Sequence, residues 1–148
     1  MNLPAFLEIS PDLWTSGQPA PSDWPLIARN GVEVVVNLAA PSSSDFDADE
    51  MRRVLEAGMQ YVAFPVVWTA PKLEDYTLFV AIMRAIKGRR VLVHCAKNMR
   101  VSVFVFLYRT LELGEDELLA RHDLEKIWAP DAIWSAFITE IQRQTATV

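Results

Sequence analysis

The one cysteine of the chain, Cys95, ends a short apolar run and is followed by a polar loop and then by a long apolar stretch. If that stretch is a helix, the free N–H groups of its first turn and about half a unit of positive charge from its dipole face the loop. Both stabilise a thiolate and any oxyanion beside it. Arg100 adds a planar, permanently charged fork suited to two phosphate oxygens. These residues predict a nucleophilic thiol in an anion-binding loop.

Two further residues of this segment have expected roles. Asn98 lies in the middle of the loop, where a positive φ is often needed, and asparagine tolerates such a φ better than other non-glycine residues. Ser102 could donate a hydrogen bond to the sulfur when the sulfur acts as a leaving group. The simpler interpretation of Cys95 is a packing residue at the end of a core strand, because free cysteine is among the most buried residue types. The combination with Arg100 and Ser102 favours the functional interpretation.

The composition narrows the class of protein. The 148 residues are 51% hydrophobic and 22% charged, which indicates one globular domain over residues 1–148. Fourteen basic and nineteen acidic residues give a net charge of −5, which argues against a nucleic-acid partner. One cysteine and two histidines cannot supply an ordinary four-ligand zinc site, so neither a metal nor an organic cofactor is expected. We also expect a cytoplasmic protein without a signal peptide or a membrane partner. The sequence leaves the oligomeric state open.

Apolar periodicity predicts alternating strands and helices. After a short strand pair within residues 6–17, strands are expected at residues 32–38, 61–67 and 90–94. Helices are expected at residues 22–29, 47–58, 73–87, 101–108 and, in two parts, 115–144. This order predicts an α/β fold with a central, mostly parallel sheet of four to five strands and helices on both faces. In such sheets the site lies outside the carboxyl ends of the strands, here after His94.

The run VHCAKNMRVS resembles the phosphate-binding loop H-C-x5-R-S/T of cysteine-dependent protein tyrosine and dual-specificity phosphatases. The segments LWTSGQPAPSDW, VVVNLAAP and FPVVWTAPKLEDY look like those of a small bacterial phosphatase-like group. The resemblance implies hydrolysis of phosphate monoesters through a cysteinyl-phosphate intermediate, with Cys95 as nucleophile and His94 ordering the loop. A phosphorylated substrate, or inorganic phosphate or sulfate, would be the partner. It would be held by the loop residues Ala96, Lys97, Asn98, Met99, Arg100 and Val101.

The sequence departs from the family pattern at two points. Arg100 follows Cys95 by five positions instead of six, which gives a shortened C-x4-R loop, while Ser102 keeps its expected spacing. The family also carries an aspartate general acid roughly thirty residues before the cysteine, and the corresponding residues 65–70 hold no carboxylate. Glu74 and Asp75 are the nearest candidates, although acids in the first turn of a helix also stabilise its dipole. Without a general acid, aryl phosphates are the expected substrates.

Two other functions remain open on the sequence. Rhodanese-like sulfurtransferases resemble this chain in having a loop one residue shorter than that of the phosphatases, and they carry a persulfide on the cysteine, here Cys95. A loop closed by fewer residues suits a sulfur atom better than a tetrahedral phosphate. A non-catalytic phosphate-binding module would explain the missing acid without further assumptions.

Overall fold

A five-stranded sheet forms the centre of the computed structural model, which describes residues 1–146. Its strands β1 to β5 are Leu7–Ser10, Leu13–Ser16, Val34–Asn37, Gln60–Ala63 and Val91–His94. Helices α1 to α6 are Trp24–Arg29, Glu50–Glu56, Leu73–Ala85, Met99–Leu107, Glu117–Ile127 and Ala132–Ala146. A 3₁₀ turn, Pro21–Asp23, precedes α1, and a π-helical turn, Tyr108–Glu112, follows α4. The predicted α/β fold with a mostly parallel sheet is confirmed.

The order of the strands in the sheet, β1-β2-β5-β3-β4, brings four loops to one edge. Strand β5 is central and runs parallel to β2 and β3, β4 runs parallel to β3, and only β1 is antiparallel to its neighbour. Because parallel strands end at the same edge, the segments that follow β2, β3, β4 and β5 meet there. The cysteine follows the central strand, so it lies in the middle of this edge.

Helices cover both faces of the sheet, as the sequence predicts. Successive strand side chains point to opposite faces. Val36 and Val93 pack with α3, α4, α5 and α6, whereas Val35 and Leu92 pack on the other face with Trp24 of α1 and with α2. The central strands are buried on both faces, which is why their sequences are continuously apolar.

Helix α4 is the buried centre of the larger layer, and every residue from Arg100 to Leu107 is buried. Phe104 contacts the rings of Phe79 and Phe137, with centroids 5.6 and 5.5 Å apart. The all-round apolar sequence of this helix predicts that burial. Only residues 95–98 separate β5 from α4, so the first turn of the helix lies at the edge where the strand ends.

Strand β4 is shorter than predicted, because it ends at Ala63 instead of reaching residue 67. Pro65 has no N–H to donate and interrupts the ladder. The N–H of Phe64 still donates to the carbonyl oxygen of Asn37 at 3.1 Å, and that of Val66 donates to the carbonyl oxygen of Leu38 at 3.0 Å. These bonds hold the segment beside β3 and lead residues 64–72 to the edge where Cys95 lies.

Candidate active site

A cavity of about 560 Å³ opens at the carboxyl edge of the sheet. Three segments, the loop after β3, the loop after β4 and the β5–α4 segment, supply its lining residues: Ala40, Ser42, Ser43, Ser44, Val67, Trp68, Thr69, Cys95, Ala96, Lys97, Met99 and Arg100. Cys95 is a free cysteine with only 1% of its surface exposed. The predicted nucleophile and the predicted phosphate-binding arginine therefore line the same cavity.

The loop between Cys95 and α4 has the expected turn at Asn98, whose φ is 63°. Its side-chain amide donates to the carbonyl oxygen of Ala5 at 2.8 Å and to Oγ1 of Thr15 at 3.0 Å. Asn98 is fully buried and is not part of the cavity lining, so its side chain anchors the loop to the N-terminal segment and to β2. The N–H groups of Met99, Arg100 and Val101 precede the first intrahelical bond, which Ser102 donates to Asn98.

Gly17 lets the segment after β2 approach the loop that follows Cys95 closely. A Cβ atom at this position would lie 2.7 Å from the carbonyl oxygen of Ala96, which is closer than real Cβ contacts allow. The neighbouring N–H of Gln18 donates to that same oxygen at 2.9 Å. The first loop residue after Cys95 is thus fixed from the β2 side.

His94 contacts acceptors through both of its ring nitrogens. Its Nε2 lies 2.7 Å from Oε2 of Glu50, and its Nδ1 lies 3.2 Å from the carbonyl oxygen of Cys95. Neither His94 nor Glu50 is more than 2% exposed. His94 therefore contacts the backbone of the predicted nucleophile, a geometry that fits its expected role in ordering the loop.

Glu50 is the centre of a buried polar cluster behind Cys95. Besides His94, its carboxylate accepts hydrogen bonds from Nε2 of Gln18 at 2.6 Å, from Nδ2 of Asn37 at 3.0 Å and from the hydroxyl of Tyr61 at 2.7 Å. Burial by itself would raise the pKa of Glu50, but the hydrogen bonds that its carboxylate accepts from His94, Gln18 and Tyr61 hold that pKa below its ordinary value. The carboxyl group is therefore ionised.

Arg100 connects the two loops that flank the cavity. Its Nη1 donates to the carbonyl oxygen of Val66 at 3.0 Å, and its Nη2 donates to Oγ of Ser43 at 2.9 Å. The guanidinium carbon lies 5.8 Å from the centre of the Trp68 ring, within the range of a cation–π contact. Although Arg100 is only 5% exposed, it lines the cavity.

Trp68 is the aromatic wall of the cavity, and two further tryptophans pack against it. The ring of Trp68 packs on Trp128 and Trp134, with centroids 5.4 and 5.6 Å apart. Nε1 of Trp134 also donates to the carbonyl oxygen of Trp68 at 2.9 Å. Trp68 itself is 38% exposed, so one part of its ring is available to a ligand.

Ser102 and Val101 do not line the cavity. The Ser102 hydroxyl donates to the carbonyl oxygen of Met99 at 2.9 Å and accepts from Nε1 of Trp128 at 3.1 Å. Its hydrogen is therefore engaged in the first turn of α4, and not with the sulfur of Cys95 as expected. The completely buried side chain of Val101 leaves only its backbone N–H as a means of contacting an anion.

Neither predicted general-acid candidate is placed at the cavity. Asp75 accepts a 2.9 Å hydrogen bond from the N–H of Lys72 and so closes the first turn of α3. Glu74 is exposed in the same turn. The free N–H groups of a helix start attract carboxylates, which is why both acids lie there. Among residues 1–146, the side chains that line the cavity include no acid, so neither Glu74 nor Asp75 is brought to Cys95 as the prediction of a general acid requires.

Glu50 and Ser43 are site residues that the sequence does not reveal. Glu50 directly follows Asp49 and looks like another first-turn acid of α2, while Ser43 looks like part of a polar loop. Their roles depend on contacts with His94 and Arg100, which lie 44 and 57 positions away in the sequence.

The cavity suits an anion although the chain is acidic overall. Lys97 and Arg100 are the charged residues of its lining, and the first turn of α4 adds its dipole. Within the described residues, no three His, Cys, Asp or Glu side chains are grouped as metal ligands would be. Over the same residues, every helix is too short or too polar to cross a bilayer.

No protein-family model and no curated protein sequence matches the chain. Among solved structures, a DUF442 protein described as a candidate phosphatase, from Shewanella putrefaciens CN-32, is 37% identical with a TM-score of 0.87, over 97% of this chain and 92% of that one. TpbA of P. aeruginosa is 20% identical with a TM-score of 0.76, over 97% and 90% of the two chains.

The core catalytic domain of the PP-IP phosphatase SIW14 from S. cerevisiae is 15% identical with a TM-score of 0.77, over 99% of this chain and 94% of that one. These two more distant likenesses show the shared fold. The likeness to the Shewanella protein extends over nearly the whole of both chains. The chain therefore belongs to the DUF442 family, whose Shewanella member is described as a candidate phosphatase.

Proposed function

We propose that the protein hydrolyses phosphate monoesters through a cysteinyl-phosphate intermediate. The observation that carries this proposal is the presence of Cys95 and Arg100 in one cavity at the start of α4. The thiolate of Cys95 attacks phosphorus, and the bond from phosphorus to the leaving oxygen breaks. The leaving group departs with the bonding electrons and takes a proton from water. A second water then attacks the phosphocysteine, which releases phosphate and restores the thiolate.

Arg100 and the first turn of α4 are the groups that stabilise the transferring phosphoryl group. Arginine has five N–H donors, and the contacts with Val66 and Ser43 use only part of that capacity. The N–H groups of Met99, Arg100 and Val101 have no acceptor within the helix. Donors fixed before the reaction stabilise charge that develops on the oxygens without a cost of reorganisation.

The preferred substrates are aryl phosphates. Among the described residues, no acid lines the cavity, so the leaving group departs with little protonation. General acid catalysis contributes typically about 10²–10⁴-fold, so loss of it penalises alkyl esters most. The exposed part of Trp68 offers an aromatic surface for the leaving group. TpbA has been solved in complex with pTyr and SIW14 with citrate, which supports an aryl phosphate or another anion as ligand here.

The proposal is tested with p-nitrophenyl phosphate and the variant Cys95→Ser. Turnover should be lost in Cys95→Ser, and acid quenching of the wild-type reaction should trap phosphate on Cys95. Ser135→Ala is the matched control, because its hydroxyl bonds the carbonyl oxygen of Pro130 outside the cavity. Turnover that persists unchanged in Cys95→Ser would refute the proposal. Protection of Cys95 from alkylation by phosphate, without turnover of any ester, would instead indicate a non-catalytic binding module.

Sulfur transfer is the second candidate, and the short loop between Cys95 and Arg100 favours it. The thiolate of Cys95 would attack the outer sulfur of thiosulfate, sulfite would leave with the bonding electrons, and a persulfide would remain on Cys95. Cyanide would then take the outer sulfur as thiocyanate and restore the thiolate. Incubation with thiosulfate and cyanide distinguishes the two candidates, because thiocyanate and a Cys95 heavier by one sulfur are expected only from sulfur transfer.

A further inference from the structure

We propose that Glu50 is a positioning residue whose carboxylate keeps His94 doubly protonated, so that a buried cation lies directly behind Cys95. The inference deepens the proposed function and rests on it only in taking Cys95 as the nucleophile. Glu50 does not line the cavity and does not contact the cysteine. It acts through the imidazole, which contacts the backbone of Cys95.

The hydrogen-bond partners of His94 determine its protonation. A carbonyl oxygen can only accept, so Nδ1 must carry the hydrogen in its contact with the oxygen of Cys95. An ionised carboxylate also only accepts, so Nε2 must carry a hydrogen in its contact with Glu50. An imidazole with hydrogens on both nitrogens is an imidazolium cation.

His94 carries a hydrogen on Nε2 only if Glu50 is ionised, and the surroundings of Glu50 favour the ionised form. Three donors besides His94, from Gln18, Asn37 and Tyr61, point at its two oxygens. A protonated carboxyl would give up part of that acceptor capacity inside the protein, where an unmade hydrogen bond is expensive. The lowered pKa of Glu50 agrees with this geometry.

The charges in this cluster balance each other. A buried carboxylate without a counter-charge is strongly destabilising, and His94 is the cationic group in contact with Glu50. Of the other groups packed here, Tyr61 from β4 has a pKa raised by burial and by the carboxylate, so it remains neutral. Trp24 from α1 adds an uncharged ring, with its centroid 5.9 Å from that of His94. The positive charge is therefore held beside the nucleophile by a single carboxylate.

One segment of the chain contacts both Arg100 and His94. Ser43, in the loop after β3, accepts from Arg100 at the cavity, and Glu50, at the start of α2, pairs with His94 behind it. The position of α2 therefore fixes the carboxylate relative to the nucleophile. A shift of this helix would disturb the charge of His94 without touching the cavity lining.

Nitrogen NMR of the imidazole rings tests the inference directly. The chain has two histidines, so His122→Asn leaves the signals of His94 alone. At neutral pH, both ring nitrogens of His94 should have the similar shifts of an imidazolium. In Glu50→Gln they should separate into the pair of shifts that a neutral ring gives, and Glu50→Asp should restore part of the cationic signature. Glu56→Gln, an exposed acid of the same helix, is the matched control.

Alkylation of Cys95 by iodoacetamide at neutral pH gives a second measurement. The rate should fall roughly tenfold in Glu50→Gln and remain unchanged in Glu56→Gln, because loss of the cation disfavours the thiolate. A neutral His94 in the unmodified site overturns the inference, and this spectrum needs no variant at Glu50 to fold. An imidazolium signature and slower alkylation in Glu50→Gln support the inference even if no ester is turned over, an outcome that would contradict only the proposed function.

Discussion

Nη1 of Arg100 donates a 3.0 Å hydrogen bond to the carbonyl oxygen of Val66, two residues before the aromatic wall at Trp68. The side chain proposed to hold the phosphate thus also holds the loop that shapes the substrate pocket. The 2.9 Å bond to Ser43 joins the opposite loop to the same guanidinium. An anion that binds at Arg100 will therefore affect both flanking loops.

Arg100→Lys should retain the positive charge and lose the hydrogen bonds that join Val66 to Ser43 through one side chain. A lysine ammonium lacks the planar guanidinium, whose several N–H groups can bond Val66 and Ser43 and still bind two phosphate oxygens. We expect kcat/KM for p-nitrophenyl phosphate to fall by about 10²-fold or more, as for loss of a fixed donor to a transition-state oxygen. The same change at exposed Arg52, in α2, is the control. Near-normal kcat/KM in Arg100→Lys would argue against a role for the planar guanidinium in catalysis.

Trp68→Ala should change selectivity between esters. Removal of the ring should raise KM for aryl phosphates by about two- to tenfold, since an aromatic contact contributes about 0.5–1.5 kcal/mol beyond area burial. KM for an alkyl phosphate should change little. Trp68→Phe keeps an aromatic ring, so its KM for aryl phosphates should stay close to that of the wild type. An equal loss for both ester classes would show that Trp68 supports the loop and does not contact the leaving group.

Asp75→Ala should affect stability and leave turnover intact. Its carboxylate accepts from the N–H of Lys72 at the start of α3, and loss of such a cap costs about 1 kcal/mol. Urea unfolding should show that decrease, while kcat for aryl phosphates should stay within about twofold of the wild-type value. A large fall in kcat with unchanged stability would restore Asp75 as a general acid.

Acidification should remove the contribution of Glu50 to stability. Its pKa in the folded protein lies below the ordinary value of 4.5, so the stabilisation is complete above that value and is lost as the pH falls through the folded-state pKa. The free energy of unfolding of the wild type should therefore drop more than that of Glu50→Gln between neutral pH and about pH 3. Parallel pH profiles for the two proteins would show that Glu50 is not preferentially ionised in the folded state.

Features that depend on neighbouring residues could be predicted from the sequence. The turn at Asn98 and the meeting of Cys95 with Arg100 are set within one strand, one loop and one helix start. The Glu50–His94 pair could not be predicted, because it joins residues 44 positions apart through the packing of α2 against the sheet. The sequence also could not distinguish a capping Asp75 from a catalytic one, since both functions place an acid near the start of a helix.

The tight contact between Gly17 and Ala96 bears on how other DUF442 proteins are compared. Any larger amino acid at position 17 would press on the backbone next to Cys95. A relative could therefore carry every side chain of the C-x4-R motif and still have a distorted cavity. Comparison of the cysteine loop alone would miss that defect. The residue that corresponds to Gly17 should therefore be checked, together with the C-x4-R motif, before a relative is expected to bind the same ligand in its cavity.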